Sequence, residues 1–356
     1  MTPLLARSVE TGRVVSVDPA SGGITEASGD PGDLWVGPGL VDIQVNGFAG
    51  VDYNEPGVSG EEIARSAEVI RSTGVTRFLP TVITGSSERM TGALRSLAAA
   101  RERIPSISGF HVEGPWISAE DGPRGAHPRE HVRPADRDQF LRLQDAAGGG
   151  IRLLTLAPES PGALSLIEFA AGQGITVAIG HTGATGPQIR DAIRAGASLS
   201  THLGNGCHSV LPRHPNYIWE QMASDELYAS LIADGIHLPA SFVKCAVRAK
   251  GLDKTILTTD ATACATCPPG RYLLGGMDVD LARDNSVRLA GTGLLAGSAL
   301  RMDRGVENFL RFADLSLKDA WRLAAGNPAR ALGLSTAADD LVLFRFDPAG
   351  PRITVQ

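Results

Sequence analysis

Eight short apolar runs, each closing on glycine or on a polar side chain, are the feature that most restricts how this chain can fold. They occupy residues 40–47 (LVDIQVNG), 77–85 (RFLPTVITG), 107–114 (ISGFHVEG), 151–159 (IRLLTLAPE), 175–182 (ITVAIGHT), 199–206 (LSTHLGNG), 228–235 (YASLIADG) and 255–262 (TILTTDAT). Helix-patterned stretches lie between them, such as residues 61–74 and 189–196. Strand-like runs alternating with helical patterns predict βα units and a parallel sheet. Eight such units predict a closed α/β barrel, the (β/α)8 TIM barrel, over residues 38–334. Two β-patterned ends are left over, residues 1–37 and 335–356. They are expected to pair into a small, reduced β-sandwich domain.

In such barrels the reacting groups gather at the C-terminal ends of the strands. The polar residues of this chain sit at the ends of the runs: Gln44 and Asn46 on the first, His111 and Glu113 on the third, His181 on the fifth. The sixth carries His202 and Asn205, the seventh Asp234 followed by His237, and the eighth Asp260. Glu113, His181 and His202 form a candidate metal set. One carboxylate and two imidazoles suit one divalent ion, zinc first and iron or another first-row metal next, with a position left for water. The triplet Gln44-Val45-Asn46 stands where a His-x-His pair would serve a second metal, and no lysine precedes Lys244 to bridge two ions. Both facts favour a single ion. Asp260 is the candidate general base and acid, accepting a proton from the attacking water and delivering it to a leaving amine. His127, in the loop after the third run, is a candidate for stabilising the oxyanion. Cys264 and Cys267 form a lone CxxC, a weak metal or redox signal without a second pair.

Composition excludes several alternatives. A net charge of −6 offers no basic surface for nucleic acid. Four cysteines in 356 residues make no disulfide framework. No apolar run has the length of a membrane span, and no signal-peptide pattern opens the chain. A cytoplasmic location is therefore expected.

The segments PGLVDIQVNGFAGVDYN, FHVEGPWIS, RGAHP, IGHTGAT, THLGNG, IADGIH, LTTDAT and LAGSAL occur in the order found in the N-acetylglucosamine-6-phosphate deacetylases. The chain resembles that family from about Gly37 to Leu334, on the branch with glutamine in place of the first histidine. The resemblance implies hydrolysis of the acetamide of N-acetylglucosamine 6-phosphate. It implies metal binding by Glu113, His181 and His202 with Gln44 nearby, Asp260 as base and acid, and His127 on the amide oxygen. Asn205, the backbone at Gly206, Arg213 and His237 would hold the phosphorylated sugar. A homodimer is implied as well, with the phosphate arginine reaching across from the neighbouring subunit. The family pattern THLxNAM departs here to THLGNGC, and the residues after Arg213, including His214, Tyr217 and Trp219, are not the usual glycine-rich ones. Another N-acyl amino sugar, a cyclic amide, or a non-catalytic sugar-binding role remain alternatives on the same scaffold.

Overall fold

The computed structural model describes residues 2–18, 21–335 and 340–356. Its centre is an eight-stranded parallel sheet: β1 Leu40–Val45, β2 Val75–Ile83, β3 Phe110–Glu113, β4 Ile151–Leu156, β5 Thr176–Ile179, β6 Ala197–Ser200, β7 Tyr228–Leu231 and β8 Thr255–Leu257. Six of the eight runs contain one of these strands whole, the second contains most of β2 and the sixth only the last two residues of β6; the strands neighbour one another in sequence order. A parallel bridge from Val45 to Ala261 brings β1 to the chain just past β8, so the sheet closes on itself.

The strands are β-branched and apolar because both faces of a barrel sheet are covered. All six residues of β1 are buried. Val41, Ile43, Leu79, Leu153, Ala178, Leu199 and Ile256 form a cluster with Ala329 and Leu332 from the end of the last helical segment. The outer faces pack against the connecting helices in a much larger cluster. The β1–β2 ladder shifts register between Asp42 and Val45, opposite Pro80. Proline has no N–H for the ladder, and the Val45 N–H instead donates to the Thr81 hydroxyl at 3.0 Å.

Helix starts are set by local chemistry. Ser59 and Glu62 form a reciprocal capping box at the helix Gly60–Arg71. Thr185 and Gln188 do the same for Gly186–Ala195, which ends on Gly196 at φ +115. This helix begins three residues before the apolar pattern starts at Ile189, because Gly186-Pro187-Gln188 form its first turn.

The two β-patterned ends pair with each other. Strands Leu4–Ser8, Val14–Val17, Ile24–Glu26 and Leu34–Pro38 join Leu341–Asp347 and Arg352–Val355 in one six-stranded sheet. Helix Leu317–Ala324 fastens this sheet to the barrel. Its Trp321 ring stacks on Phe344 at 4.3 Å, and its indole N–H donates to Pro38 O at 2.8 Å. A third sheet follows β8: strands Gly270–Leu274, Met277–Leu281 and Val287–Leu289. The run reading does not contain it. Its signal was the Gly275-Gly276 pair between two alternating segments, a strong hairpin mark. No helix among the described residues is long and apolar enough to cross a membrane.

Candidate active site

Closure of the barrel brings together residues that are far apart in the chain. Glu113 is the last residue of β3, while His181, His202 and Asp260 follow β5, β6 and β8 by two or three residues. His181, His202 and Asp260 hold φ of +51, +29 and +51, in a region that side chains rarely occupy. Three neighbours of this kind at one rim mark a site where backbone strain is spent on aiming side chains.

Four groups converge. His202 Nε2 lies 3.1 Å from Glu113 Oε1 and 3.1 Å from His181 Nε2. His181 Nε2 is 3.5 Å from Glu113 Oε1. His127 Nε2 enters from the loop after β3, 3.2 Å from His181 Nε2 and 3.8 Å from Glu113 Oε2. Ligand atoms about 2.0–2.1 Å from a tetrahedral centre are separated by about 3.3 Å, so these spacings fit the edges of one metal site. The donor set, carboxylate plus imidazole, suits a divalent first-row ion. Glu113, His127 and His181 also form a compact triad of potential ligand atoms, all within 4.8 Å of one another. His127 thus stands among the candidate ligands as well as facing the cavity. His181 donates its Nδ1–H to Pro123 O, 2.9 Å away, which fixes its ring with Nε2 toward the cluster. Among the described residues, the Nδ1 atoms of His127 and His202 have no hydrogen-bond partner.

The electrostatics follow from burial and contact. Burial pushes Glu113 upward, but the hydrogen bonds and charges of His181 and His202 hold it well below the ordinary carboxylate range. Burial favours neutral His202, yet the Glu113 hydrogen bond and charge outweigh it and raise His202. His127 has less compensation, and burial takes it down to about 3. Burial, reinforced by the Glu113 charge, lifts Asp260 to about 6, against the hydrogen bond it receives from Asn46 Nδ2 at 2.7 Å. Asp260 is therefore poised to exchange a proton near neutrality.

The other residues singled out by the sequence take different places around this cluster. Asn205, Gly206 and His237 line the same cavity of about 110 Å³ as Glu113, His127, His181, His202 and Asp260. Gln44 lies behind the cavity wall and donates to Glu113 Oε1 at 3.0 Å. Arg213 is exposed and does not line the cavity. Asp234 proves to be the orienting partner of His237: it accepts the His237 backbone N–H at 2.7 Å and contacts its Nδ1 at 2.6 Å. His111 is held inside the barrel between the hydroxyls of Thr81 and Thr155. Tyr217 is buried, with its hydroxyl on His208, whereas Trp219 is 53% exposed. Cys264 and Cys267 are free thiols packed into the apolar cluster under the Gly270–Leu281 hairpin.

Two groups were not foreseen. Asn46 was noted only as a replacement for a ligand, but it holds Asp260. The apolar residues Ile83, Leu274, Met277 and Leu295 also line the cavity, and no charged or metal-binding pattern announces them.

The Amidohydrolase family profile matches residues 35–338. The N-acetylglucosamine-6-phosphate deacetylase of Bacillus subtilis is 35% identical over 310 residues, 85% of this chain and 77% of that protein. The N-acetylgalactosamine-6-phosphate deacetylase of Escherichia coli O157:H7 is 31% identical over 330 residues, 92% of this chain and 84% of that protein. A mutant N-acetyl-D-glucosamine-6-phosphate deacetylase of Mycobacterium smegmatis, solved with N-acetyl-D-glucosamine-6-phosphate, superposes with a TM-score of 0.89. It is 30% identical, and the match covers 100% of this chain and 98% of that one.

Proposed function

The chain belongs to the amidohydrolase family and, within it, to the N-acetylglucosamine-6-phosphate deacetylases, and on that premise we propose that it hydrolyses N-acetylglucosamine 6-phosphate to glucosamine 6-phosphate and acetate. The observation that carries this reading is the convergence of Glu113, His127, His181, His202 and Asp260 on one buried cavity that also carries Asn205, Gly206 and His237.

We assign Glu113, His181 and His202 as holders of one divalent ion, zinc first, because all three come from barrel strands or the short turns directly after them. When bound there, such an ion would supply Lewis acidity toward water and the acetyl carbonyl. Asp260, fixed by Asn46, accepts the proton of the attacking water and returns it to the nitrogen as the C–N bond breaks. His127 faces the carbonyl oxygen, where an imidazole N–H stabilises the developing charge. Gln44 orients Glu113.

Asn205, the Gly206 backbone and His237 hold the phosphorylated sugar, with Asp234 setting the His237 ring. Arg213 belongs to the same task, forking onto phosphate oxygens, but it lies outside the cavity of its own chain. We assign it to the site of a partner subunit in a homodimer. The exposure of Val210 (85%) and Trp219 on either side of it supports that placement. A phosphorylated substrate and four unpaired cysteines favour the cytoplasm.

The test is acetate release by metal-loaded protein from N-acetylglucosamine and N-acetylgalactosamine, each with and without the 6-phosphate. The gluco 6-phosphate is expected to be turned over best. Equal rates on the free sugar would remove the phosphate assignment, and preference for the galacto epimer would replace the sugar.

A further inference from the structure

The cavity has two chemically different sides, and their positions on the barrel say which part of the substrate meets each. Asn205 and Gly206 follow β6. Ile83 ends β2, four strands away in an eight-stranded ring and so across the rim. On the Ile83 side the wall is apolar. Leu274 and Met277 come from the two arms of the Gly270–Leu281 hairpin, and Leu295 from the segment after it. Leu274 and Ile83 share one buried cluster.

A secondary amide is planar and trans. Its acyl carbon chain therefore points away from the substituent on nitrogen. With the sugar held on the β6 and β7 side and the scissile bond at the metal ligands, the acyl methyl is directed at the apolar wall. We propose that the hairpin, through Met277 and Leu274, is the gauge of acyl-chain length, admitting acetyl and excluding longer acyl groups. This rests on the deacetylase reading and adds a specificity determinant to it.

The hairpin is braced rather than loose. Its tip, Gly275, donates a backbone N–H to Asp52 Oδ2 at 2.7 Å. Asp52 Oδ1 accepts from Asn54 N at 2.9 Å, and Asn54 Oδ1 accepts from Ile83 N at 2.8 Å. A hydrogen-bonded strut thus joins the hairpin tip to the end of β2, fixing the distance between the two sides of the acyl pocket. Gly275 sits at φ +57, and a Cβ there would come within 3.2 Å of the Ile83 side chain, so the tip lies directly against β2. The buried carboxylate of Asp52, which the reaction does not use, acquires a role as a positioning residue.

The experiment compares N-formyl, N-acetyl, N-propionyl and N-butyryl glucosamine 6-phosphate as substrates of the parent, Met277→Ala and Asp52→Ala. One methylene in an apolar pocket changes kcat/KM by about 10–200-fold. The parent is expected to prefer acetyl over propionyl by at least about 10-fold, and both variants to lose about 10-fold or more of that preference. Discrimination between phosphorylated and free sugar should not move. The proposal is overturned if Met277→Ala lowers all acyl substrates equally, or if it alters sugar selectivity and leaves acyl selectivity intact. Binding of acetohydroxamate, propionohydroxamate and butyrohydroxamate to the zinc-loaded proteins separates this proposal from the functional reading. The parent should bind the acetyl compound best and Met277→Ala should level the series, even if no phosphorylated sugar is hydrolysed. A flat series in the parent overturns the gauge.

Discussion

The ends of the barrel strands and the segment that follows β6 are both part of the candidate site, yet they are built differently. Glu113, His181, His202 and Asp260 are buried and held by the barrel backbone at or just beyond the strands, three of them at positive φ. Arg213 lies in an exposed stretch of the same rim, with Val210 on one side and Trp219 on the other. On the proposed assignments, the chemistry falls to groups whose positions one chain determines completely. Recognition of the remote phosphate would fall in part to Arg213, which lies outside the cavity of its own chain. Bond breaking requires placement to within a fraction of an ångström, whereas a charged anchor works at longer range and from a neighbouring surface.

The largest test of that contrast is Asp260→Asn. The amide keeps size and hydrogen bonding but cannot take a proton. Turnover should fall by roughly 10²–10⁴-fold while metal content and substrate binding are retained. Near-parental turnover of metal-loaded protein would transfer the base role to another group in the cavity.

Arg213→Ala addresses the other region. It should weaken binding of the phosphorylated sugar by roughly 2–4 kcal/mol if the pair is desolvated, with a smaller change in turnover. Mixing Arg213→Ala with Asp260→Asn under subunit exchange should restore activity, because each mixed dimer contains one intact site. No recovery on exchange would place Arg213 in its own chain's site.

A smaller effect is expected where the two regions meet. Gly206 follows β6 at φ +55, and a Cβ there would lie 2.7 Å from His181 Nδ1. Gly206→Ala should displace the His181 ring and loosen the ion by about 10–100-fold, the scale of losing a ligand's orienting contact. Metal titration reads this directly, and unchanged affinity would show that the segment relaxes without moving the ligand.

The smallest effect is set by pH. Asp260 acts while ionised and lies near 6. The cation that the site is proposed to hold would lower that value, so activity should be full above about 6 and fall about tenfold per unit only at lower pH. Asp260→Asn should abolish the limb along with most of the rate, and a limb that survives would belong to another group.

Much of the site was legible because strand ends are a local pattern. An apolar run that stops at His181, His202 or Asp260 announces both a strand and the rim position of its last polar residue. His127 was harder to assign, because its loop has no period. Its place beside His181 and Glu113 depends on how that loop folds back over β5. Asn46 read as a lost ligand, and only its contact with Asp260, 214 residues away in the chain, shows what it holds. The Gly270–Leu281 hairpin carried a turn signal, but nothing in its alternation says that Leu274 and Met277 look into the cavity.

What the sequence determined by itself was the succession of eight strands and the polar residues that end them. Those are consequences of side-chain period, which acts within a few residues. The tertiary structure decided which of those ends meet, because Glu113 and His202 become neighbours only when a sheet of eight tilted strands closes. It also decided that Arg213 stays outside and that Met277 comes in, since both depend on how long connections fold over the rim rather than on any pattern within them.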